Sequence, residues 1–307
     1  MSLKSLSGIA ALVVLLGVTV YGVYGFITSG SEATLDYWLD RIHLAPLVLA
    51  IAAIDIALEC TAWLWVYSRF GIKSWDRGAV QCFLAGRAGL LLPAQLGRLI
   101  SPNTMARQGR GKLSTCLKAE GVTFAINVAS VGLLIVALIA ALTHPLLFPV
   151  VVLGAITVLA LAGDRVGKLV AHTRLALPEG LWRSPATFGI MLVQMAAWTA
   201  HGIGLWVLIK DLPGNAGMWQ TVLFSSLAAV LGVGSGLPGG VGATEGLLGF
   251  ALRLMHIPTE HLVMAVGGFR LATFWIWIPI GWGALVLARR RSMMAPAPAA
   301  SAAQVAA

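Results

Sequence analysis

The residues with the clearest chemical potential form a glycine-rich stretch, Leu237–Gly242, followed by Glu245. Proline lacks an amide donor and glycine gains nothing from helical order, so the stretch is expected to break a helix. Within a membrane, unpaired backbone and a carboxylate are tolerated only where they are buried in protein or line a polar cavity. The stretch therefore predicts the binding or coupling site of a membrane transporter, where the amides of Gly239, Gly240 and Gly242 can hold a phosphate.

Glu245 and Arg270 are ionisable residues inside apolar segments, and each has two interpretations. Glu245 stands where a new helix would begin. It either caps that helix or binds a cationic headgroup or a proton, and the two roles are compatible. Arg270 lies within the last apolar run and needs a partner, for which Glu245 and Asp55 are candidates. The resulting pair is either structural, or the guanidinium fork contacts a phosphate.

Further charged residues lie in or beside other apolar runs. Asp55 and Glu59 are four residues apart and share a helix face. Two neighbouring carboxylates can share a proton in a coupled step, or they can pair with Arg87 or Lys118. Arg98 is expected to anchor the chain at the cytoplasmic surface, but it would attract an anionic headgroup if it lined a cavity.

Two polar residues of the apolar runs are expected to be structural. Glu120 follows Lys118 closely, which predicts an ion pair at the membrane interface. His201 shares a helix face with Gln194 and Trp198, which predicts a hydrogen-bonded core histidine. Neither the histidines nor the cysteines have metal-ligand spacing, so no metal or cofactor is expected.

The composition decides which elements must position these residues. The chain of 307 residues is 58% hydrophobic and 11% charged, with a mean hydropathy of +0.87. These values are typical of membrane proteins. The net charge of +9 does not indicate nucleic-acid binding, because the basic residues lie in short loops between apolar runs. They are better explained as orientation signals and contacts with anionic headgroups.

Six apolar runs are candidates for membrane spans, which need about 20 residues. They are residues 6–27, 44–67, 113–142, 146–161, 186–209 and 262–288. The first is too long for the apolar core of a signal peptide and is expected to be an uncleaved span. Two further apolar stretches are interrupted, residues 79–100 at Pro93–Gly97 and residues 219–255 at Pro238–Gly242.

The loop charges predict the orientation. Lysine and arginine concentrate in residues 69–77, 98–118 and 164–183 and in the triplet Arg289–Arg291, which places all four regions and both termini in the cytoplasm. The stretch 79–100 then has cytoplasmic loops on both sides and must return as a re-entrant hairpin. By the same count, residues 219–255 enter and return from the opposite side.

This order predicts one membrane domain over residues 1–292, made of inverted repeat halves at about 1–143 and 144–292. In each hairpin a proline is followed four residues later by a glycine. The alternative is eight ordinary spans with glycine-kinked helices, because glycine and proline are common in membrane helices. Residues 293–307, rich in alanine and proline, are expected to form a disordered cytoplasmic tail.

The segment Gly236–Gly246, followed by Arg270 and Leu271–Trp275, resembles the transmembrane family of lysylphosphatidylglycerol synthases. This family is also called the flippase-like domain, and it includes the membrane part of the multiple peptide resistance factor. Pro93–Arg98, with the basic loop and Glu120 that follow, is similar to the family's first half, although Gly97-Arg98 stands where the family usually has Gly-Glu. The resemblance implies lipid translocation without synthesis, since the soluble aminoacyl-transferring domain of some relatives is absent.

These observations together predict an all-α integral membrane protein of about six spans and two opposed re-entrant hairpins. The expected function is that of a lipid flippase in the bacterial cytoplasmic (inner) membrane, not an enzyme. Its substrate would be a phospholipid or polyprenyl-phosphate-type lipid whose phosphate contacts Arg270 and Arg87 or Arg98. Without a nucleotide-binding motif, transport would use a gradient or be passive.

Two other functions stay open. One is a membrane enzyme acting on a lipid headgroup with the intramembrane carboxylates as acid and base, although no nucleophile or metal motif accompanies them. The other is a non-transporting scaffold for a lipid-modifying enzyme. A homodimer is compatible with the sequence, but no feature requires one.

Overall fold

The computed structural model describes residue 36 and residues 38–171, 178, 180, 181 and 184–294. From Ala45 onward these residues form ten α-helices and no strand. The helices are α1 Ala45–Arg69, α2 Arg77–Gly86, α3 Ile100–Arg107, α4 Leu113–Thr143, α5 Leu147–Ala171, α6 Pro185–Ile209, α7 Met218–Gly234, α8 Ala243–Leu254, α9 Thr259–Arg270 and α10 Trp277–Met294.

Four helical segments are long and apolar enough to cross a membrane, as expected of a multi-pass membrane protein. They are Ile42–Arg69, Leu113–Thr143, Pro185–Ile209 and Thr259–Arg290. These segments confirm the predicted runs at 44–67, 113–142, 186–209 and 262–288. The run at 146–161 is helical, but its apolar part, Leu147–Ala162, is shorter than the other four. The run at 6–27 lies outside the described residues.

The first interrupted stretch forms a helical hairpin, residues 77–107, in which α2 and α3 pack against each other. Between them lie two 3-10 turns, Arg87–Gly89 and Pro93–Leu99, which we call the first break. The prediction of a polar loop from residue 98 onward is wrong, because α3 occupies Ile100–Arg107. Its proline lies in the first turn, where the missing amide hydrogen is not needed, and its apolar and small polar residues pack inward.

An ion pair between Asp76 and Arg110 joins the two ends of the first hairpin. Asp76 is the N-cap of α2, where its Oδ1 accepts the amide hydrogen of Ala79 at 2.9 Å. Arg110, just beyond α3, donates to Asp76 Oδ2 at 2.8 Å and to the Lys73 carbonyl at 2.9 Å. The hydrogen bond from Arg110 lowers the pKa of the Asp76 carboxyl below its ordinary value. Because these ends meet, the hairpin enters and leaves on one side of the molecule.

The second interrupted stretch forms a matching hairpin, residues 218–254, in which α7 and α8 pack against each other. Residues 235–242 between them, the second break, contain a short 3-10 turn at Pro238–Gly240, in agreement with the break predicted from the proline and the clustered glycines. The amide of Asn215 donates to the Met255 carbonyl at 2.9 Å, so the ends of this hairpin also meet.

The two breaks contact each other near the middle of the fold. The 3-10 turns at Pro93–Leu99 and Pro238–Gly240 pack together, and α10 packs against α2 and the Arg87–Gly89 turn. Within the first break, the backbones of Gly89 and Gly97 touch so closely that a Cβ on Gly97 would collide with the Gly89 carbonyl. Around the breaks, α1 packs along α6, and α4 packs against α1, α6 and α7.

Two predicted boundaries are corrected by the structure. Helix α5 continues through residues 164–171, which were expected to begin a loop, and α10 continues to Met294, two residues into the expected tail. Lysine and arginine are good helix formers, so a basic cluster marks where a span leaves the membrane and not where its helix stops. Residues 295–307 lie outside the described part of the chain.

Candidate functional site

A partly open cavity of about 370 Å³ lies where the two breaks meet α1, α4 and α6. It brings together most of the ionisable residues that the sequence analysis identified inside the apolar segments. Its charged and titratable lining consists of Asp55 and Glu59 of α1, Arg87 and Arg98 of the first break, Glu120 of α4, His201 of α6 and Arg270 of α9. Residues far apart in the chain therefore form one polar site.

Glu245 and Arg270 form an ion pair at the second break. Glu245 was one of the two partners predicted for Arg270. Arg270 Nε donates to Glu245 Oε1 at 2.7 Å, and Nη2 donates to the Gly239 carbonyl at 3.1 Å. Glu245 Oε2 also accepts the amide hydrogen of Gly242 at 2.7 Å, which caps α8. The same carboxylate is thus both the helix cap and the partner of a buried guanidinium.

The amides of the second break are less available than the sequence suggested. The Gly242 amide is bonded to Glu245, and the Gly240 amide donates to the Leu237 carbonyl at 3.0 Å. The expectation of free amides for a phosphate is therefore not met at these two glycines. The carboxylate of Glu245 occupies the position at the start of α8 that favours an anion.

Gly239 lines the cavity and cannot be replaced without strain. Its φ is +59°, a left-handed conformation that favours glycine. A Cβ there would collide with the Phe274 ring and would lie 3.1 Å from the Leu90 carbonyl of the first break. The Phe274 ring lies under Arg270, with 4.2 Å from the guanidinium carbon to the ring centroid. Gly239 thus lies close to the first break and accepts a hydrogen bond from Arg270.

Arg270 stands where the regular helix is interrupted. Helix α9 ends at Arg270, and a π-helical turn, Leu271–Trp275, connects it to α10. Such turns leave carbonyls without their usual partners. The indole of Trp277 accordingly donates to the Ala272 carbonyl at 3.0 Å. The distortion sets the direction of the chain beside Arg270 and Phe274.

Glu59 and Arg87 form the equivalent pair at the first break, as predicted. Arg87 Nη2 donates to Glu59 Oε2, and both side chains are about one-fifth exposed. The Arg87 guanidinium also lies over the Phe83 ring, 4.9 Å from its centroid. Each break therefore presents an arginine that is held by one glutamate and one phenylalanine.

Arg98 and Glu120 form a third pair, which the sequence analysis missed. Arg98 Nη1 lies 3.6 Å from Glu120 Oε1, and its guanidinium covers the Phe124 ring at 4.7 Å. Glu120 Oε2 accepts hydrogen bonds from Trp63 Nε1 at 2.9 Å and from the Tyr67 hydroxyl at 3.0 Å. Glu120 is therefore a buried member of the cavity wall and not an interfacial residue beside Lys118.

Asp55 pairs with His201 and not with Arg87 or Lys118. His201 Nδ1 lies 3.2 Å from Asp55 Oδ2, which joins α1 to α6 across the cavity wall. The imidazole meets the rings of Trp198 and Phe269 edge-on, with centroids 5.6 and 4.9 Å away. His201 is a hydrogen-bonded histidine as expected, but it also lines the cavity.

Uncharged polar groups continue the lining along α6. Gln194, Trp198 and His201 all face the cavity, and Trp198 Nε1 donates to Asn127 Oδ1 at 2.9 Å. Gln194 is only 1% exposed, yet its Oε1 has no hydrogen-bond partner among the residues that the structure describes. A buried acceptor of this kind is costly unless a donor reaches it.

In this arrangement, a ligand anion can take the place of a glutamate carboxylate as the partner of an arginine. The three arginines Arg87, Arg98 and Arg270 are each held by a glutamate on another element, and aromatic rings cover their guanidinium groups. Arginine forks suit phosphate as well as carboxylate. A phosphate entering the cavity can therefore compete for these three groups.

The sequence indicated which charged residues need partners but only some of the ion pairs. It identified Glu59 with Arg87 and Glu245 with Arg270, whereas the pairings of Glu120 and Asp55 become visible only in three dimensions. A charged residue well inside an apolar run was the usable signal for Glu120. Among the described residues, no group of three or more His, Cys, Asp and Glu side chains is arranged to hold a metal ion.

Comparisons of the sequence with protein-family models and with curated proteins return no match.

Proposed function

We propose that this protein is a lipid transporter of the bacterial cytoplasmic membrane. It moves a phospholipid or polyprenyl-phosphate-type lipid by passing the headgroup through the cavity between the two breaks. The acyl or prenyl chains stay in the surrounding bilayer, because only the headgroup needs a polar path.

The observation that carries this proposal is the convergence of Arg87, Arg98 and Arg270 on one cavity at the two breaks. Intramembrane arginines are rare and are retained mainly for ion or substrate pathways. Each is paired with a glutamate, so the site is stable when empty and can release a guanidinium to a phosphate. A purely structural ion pair would not need three arginines around a common space.

The arrangement of the hairpins supports a path across the whole membrane. We propose that residues 77–107 enter from the cytoplasmic side and residues 218–254 from the outside, with the breaks meeting near the midplane. The meeting ends of each hairpin and the contact between the breaks support this topology. With six spans, two of them the runs at 6–27 and 146–161, the halves would form an inverted repeat.

We further propose that the likeness of Gly236–Gly246 and Arg270 to the flippase-like domain extends to function. In this chain those residues build the Glu245–Arg270 pair and the contact of Gly239 with Phe274. The residues that carry the resemblance are thus the ones that form the second break.

Movement of a fluorescent phospholipid between leaflets tests the proposal. Proteoliposomes containing headgroup-intact, chain-labelled phosphatidylglycerol are treated with dithionite, which bleaches only the outer leaflet. The wild type is expected to allow bleaching beyond half of the label, and Arg270→Ala and Glu245→Gln to reduce the rate at least tenfold. Arg253→Ala, an exposed arginine of α8, is the matched control and should retain the wild-type rate.

Native mass spectrometry of the same proteins gives the binding readout. Retention of an anionic lipid by the wild type and its loss from Arg270→Ala would place the headgroup at the second break. Identical lipid profiles and identical bleaching in all variants would contradict the proposal and favour the scaffold. A chemically altered lipid recovered without movement between leaflets would favour the enzyme.

A further inference from the structure

We infer that the headgroup anion binds together with one proton, which is taken up by the Asp55–His201 pair. This inference rests on the proposed function and names its coupling ion. The lipid phosphate and the proton would occupy the same cavity at the same time, the first at the arginines and the second at the pair. Transport would then be proton-coupled and would carry no net charge for a singly charged headgroup.

The geometry makes the pair a proton site within the cavity. His201 Nδ1 and Asp55 Oδ2 are 3.2 Å apart, and both residues line the cavity. Their side chains are 16% and 12% exposed, so a proton can reach them from the cavity although they are otherwise enclosed. Trp198 and Phe269 hold the imidazole edge-on, which keeps it directed at Asp55.

The formal charge of the site gives the reason for the coupling. Counted formally with every carboxylate ionised and His201 neutral, Asp55, Glu59, Glu120 and Glu245 against the three arginines give the group a charge of −1. Binding of a phosphodiester would change the formal charge of this group to −2 in a poorly solvated space. Uptake of one proton restores the charge of the empty site, so anion and proton should bind with positive cooperativity.

The surrounding groups identify the pair as the place of that proton. The charged residues that line the cavity around His201 are Asp55 and Glu59 of α1, Glu120 of α4, Arg270 of α9, and Arg87 and Arg98 of the first break. Helix α7, which also packs against α6, contributes no charged residue. Arginine keeps its proton at all physiological pH values, whereas histidine gains and loses one within that range. The proton is assigned to the pair and not to one atom, because the two side chains share one hydrogen bond.

The pH dependence of anion binding is the decisive measurement. The probe is dihexanoylphosphatidylglycerol, whose phosphate remains singly charged, titrated calorimetrically into the full-length protein in nanodiscs between pH 5.5 and 8.5. The wild type should lose affinity by up to about tenfold per pH unit on the alkaline side, as expected for one linked proton. Titrations in buffers of different ionisation enthalpy should show uptake of about one proton per lipid bound.

Two substitutions separate coupling from binding. His201→Gln keeps a hydrogen-bonding group near Asp55 but cannot be protonated, so its affinity should be nearly independent of pH and its proton uptake close to zero. Asp55→Asn should also reduce the uptake, and it serves as the second variant if the first does not fold. His261→Gln, which alters a buried histidine of α9 outside the cavity lining, is the matched control and should keep the wild-type slope.

Failure of the proton coupling can be distinguished from failure of the proposed function. Measurable wild-type binding with no dependence on pH would overturn the proton coupling and leave the proposed function standing. A slope that survives in both His201→Gln and Asp55→Asn would overturn the assignment to this pair, because the proton would then be on a glutamate freed from its arginine. Wild-type protein that binds the probe at no pH would contradict the proposed function and the coupling with it.

Discussion

At the scale of single residues, the problem this protein solves is how to keep charges inside an apolar fold. Arg270 shows the solution. Its guanidinium is bonded to Glu245 and to the Gly239 carbonyl, and the Phe274 ring covers it. No single partner would offset the cost of removing an arginine from water, but the three together satisfy it on several sides.

The Glu245–Arg270 pair should be strongly coupled in stability. Arg270→Met leaves the partly buried Glu245 carboxylate without its partner and is expected to lower the free energy of unfolding by about 2 kcal/mol, less than for a fully buried charge. Adding Glu245→Gln removes that carboxylate, so the double variant should be less destabilised than the sum of the single variants by about 1 kcal/mol or more. Thermal unfolding in detergent measures the stability of the wild type, the two single variants and the double variant. Additive effects would mean that the two side chains do not interact.

Gly239 should tolerate a side chain poorly. Gly239→Ala places a Cβ in the left-handed region and against Phe274, and is expected to cost more than about 1 kcal/mol. Gly246→Ala is the matched control, since Gly246 lies in α8 with open space around it and should be neutral or slightly stabilising. Equal unfolding temperatures for both variants would contradict the close approach of the breaks.

At the scale of elements, each hairpin is held at its open end as well as at its break. In the first hairpin, Asp76 caps α2 and accepts a hydrogen bond from Arg110 on the loop after α3. In the second, the backbones of Asn215 and Met255 are joined. Short helices gain little stability from their own hydrogen bonds, so these closures are what make α2 and α3 a defined unit.

The contribution of Asp76 should depend on pH. Its pKa is lowered in the folded protein by the hydrogen bond from Arg110, so the carboxylate stabilises the fold fully above its unfolded pKa of about 4. That stabilisation is lost as the pH falls through the lower folded pKa. Asp76→Asn should therefore unfold at a lower temperature than the wild type at pH 7, and the gap should shrink below about pH 4.

A thermal-unfolding series from pH 3 to pH 7 checks this expectation. Asp211→Asn, which changes an exposed aspartate in the loop after α6, is the matched control and should show no such trend. A gap between wild type and Asp76→Asn that stays constant across the series would mean that the ionised carboxylate is not what holds the hairpin.

At the scale of the whole molecule, the proposed function depends on two hairpins that enter from opposite sides. Both meet at the cavity, which would give a headgroup the path that the proposal requires. The three native cysteines of the described region, Cys60, Cys82 and Cys116, are buried, so introduced surface cysteines can be labelled selectively.

Labelling with a membrane-impermeant maleimide should separate the two hairpins. Trp75→Cys and Lys112→Cys flank the first hairpin and should react only from the cytoplasmic side, because positively charged loops stay there. Asn215→Cys and Glu260→Cys flank the second and should react only from outside. All four positions are exposed in the structure. Labelling of both pairs from one side would contradict the inverted topology.

The sequence by itself determined the class of protein, the four long spans and the location of both breaks. These features follow from local rules, since apolar length sets a span, and proline with clustered glycine disrupts a helix. It also identified which charges needed partners, because an ionisable group in an apolar run is costly wherever the chain folds. Where local signals conflicted, as in the polar but helical residues 100–107, the sequence-based prediction failed.

Only the tertiary structure decided which charges meet. Asp55 lies nearer in sequence to Arg87 than to His201, yet it pairs with His201 because α1 packs along α6. Glu120 reaches Trp63 and Tyr67 because α4 packs against α1, and it reaches Arg98 because α4 also contacts the first break, although Lys118 is two residues away. The Asp55–His201 contact joins residues 146 positions apart, and no local pattern encodes such a separation. The cavity exists only because these contacts form together.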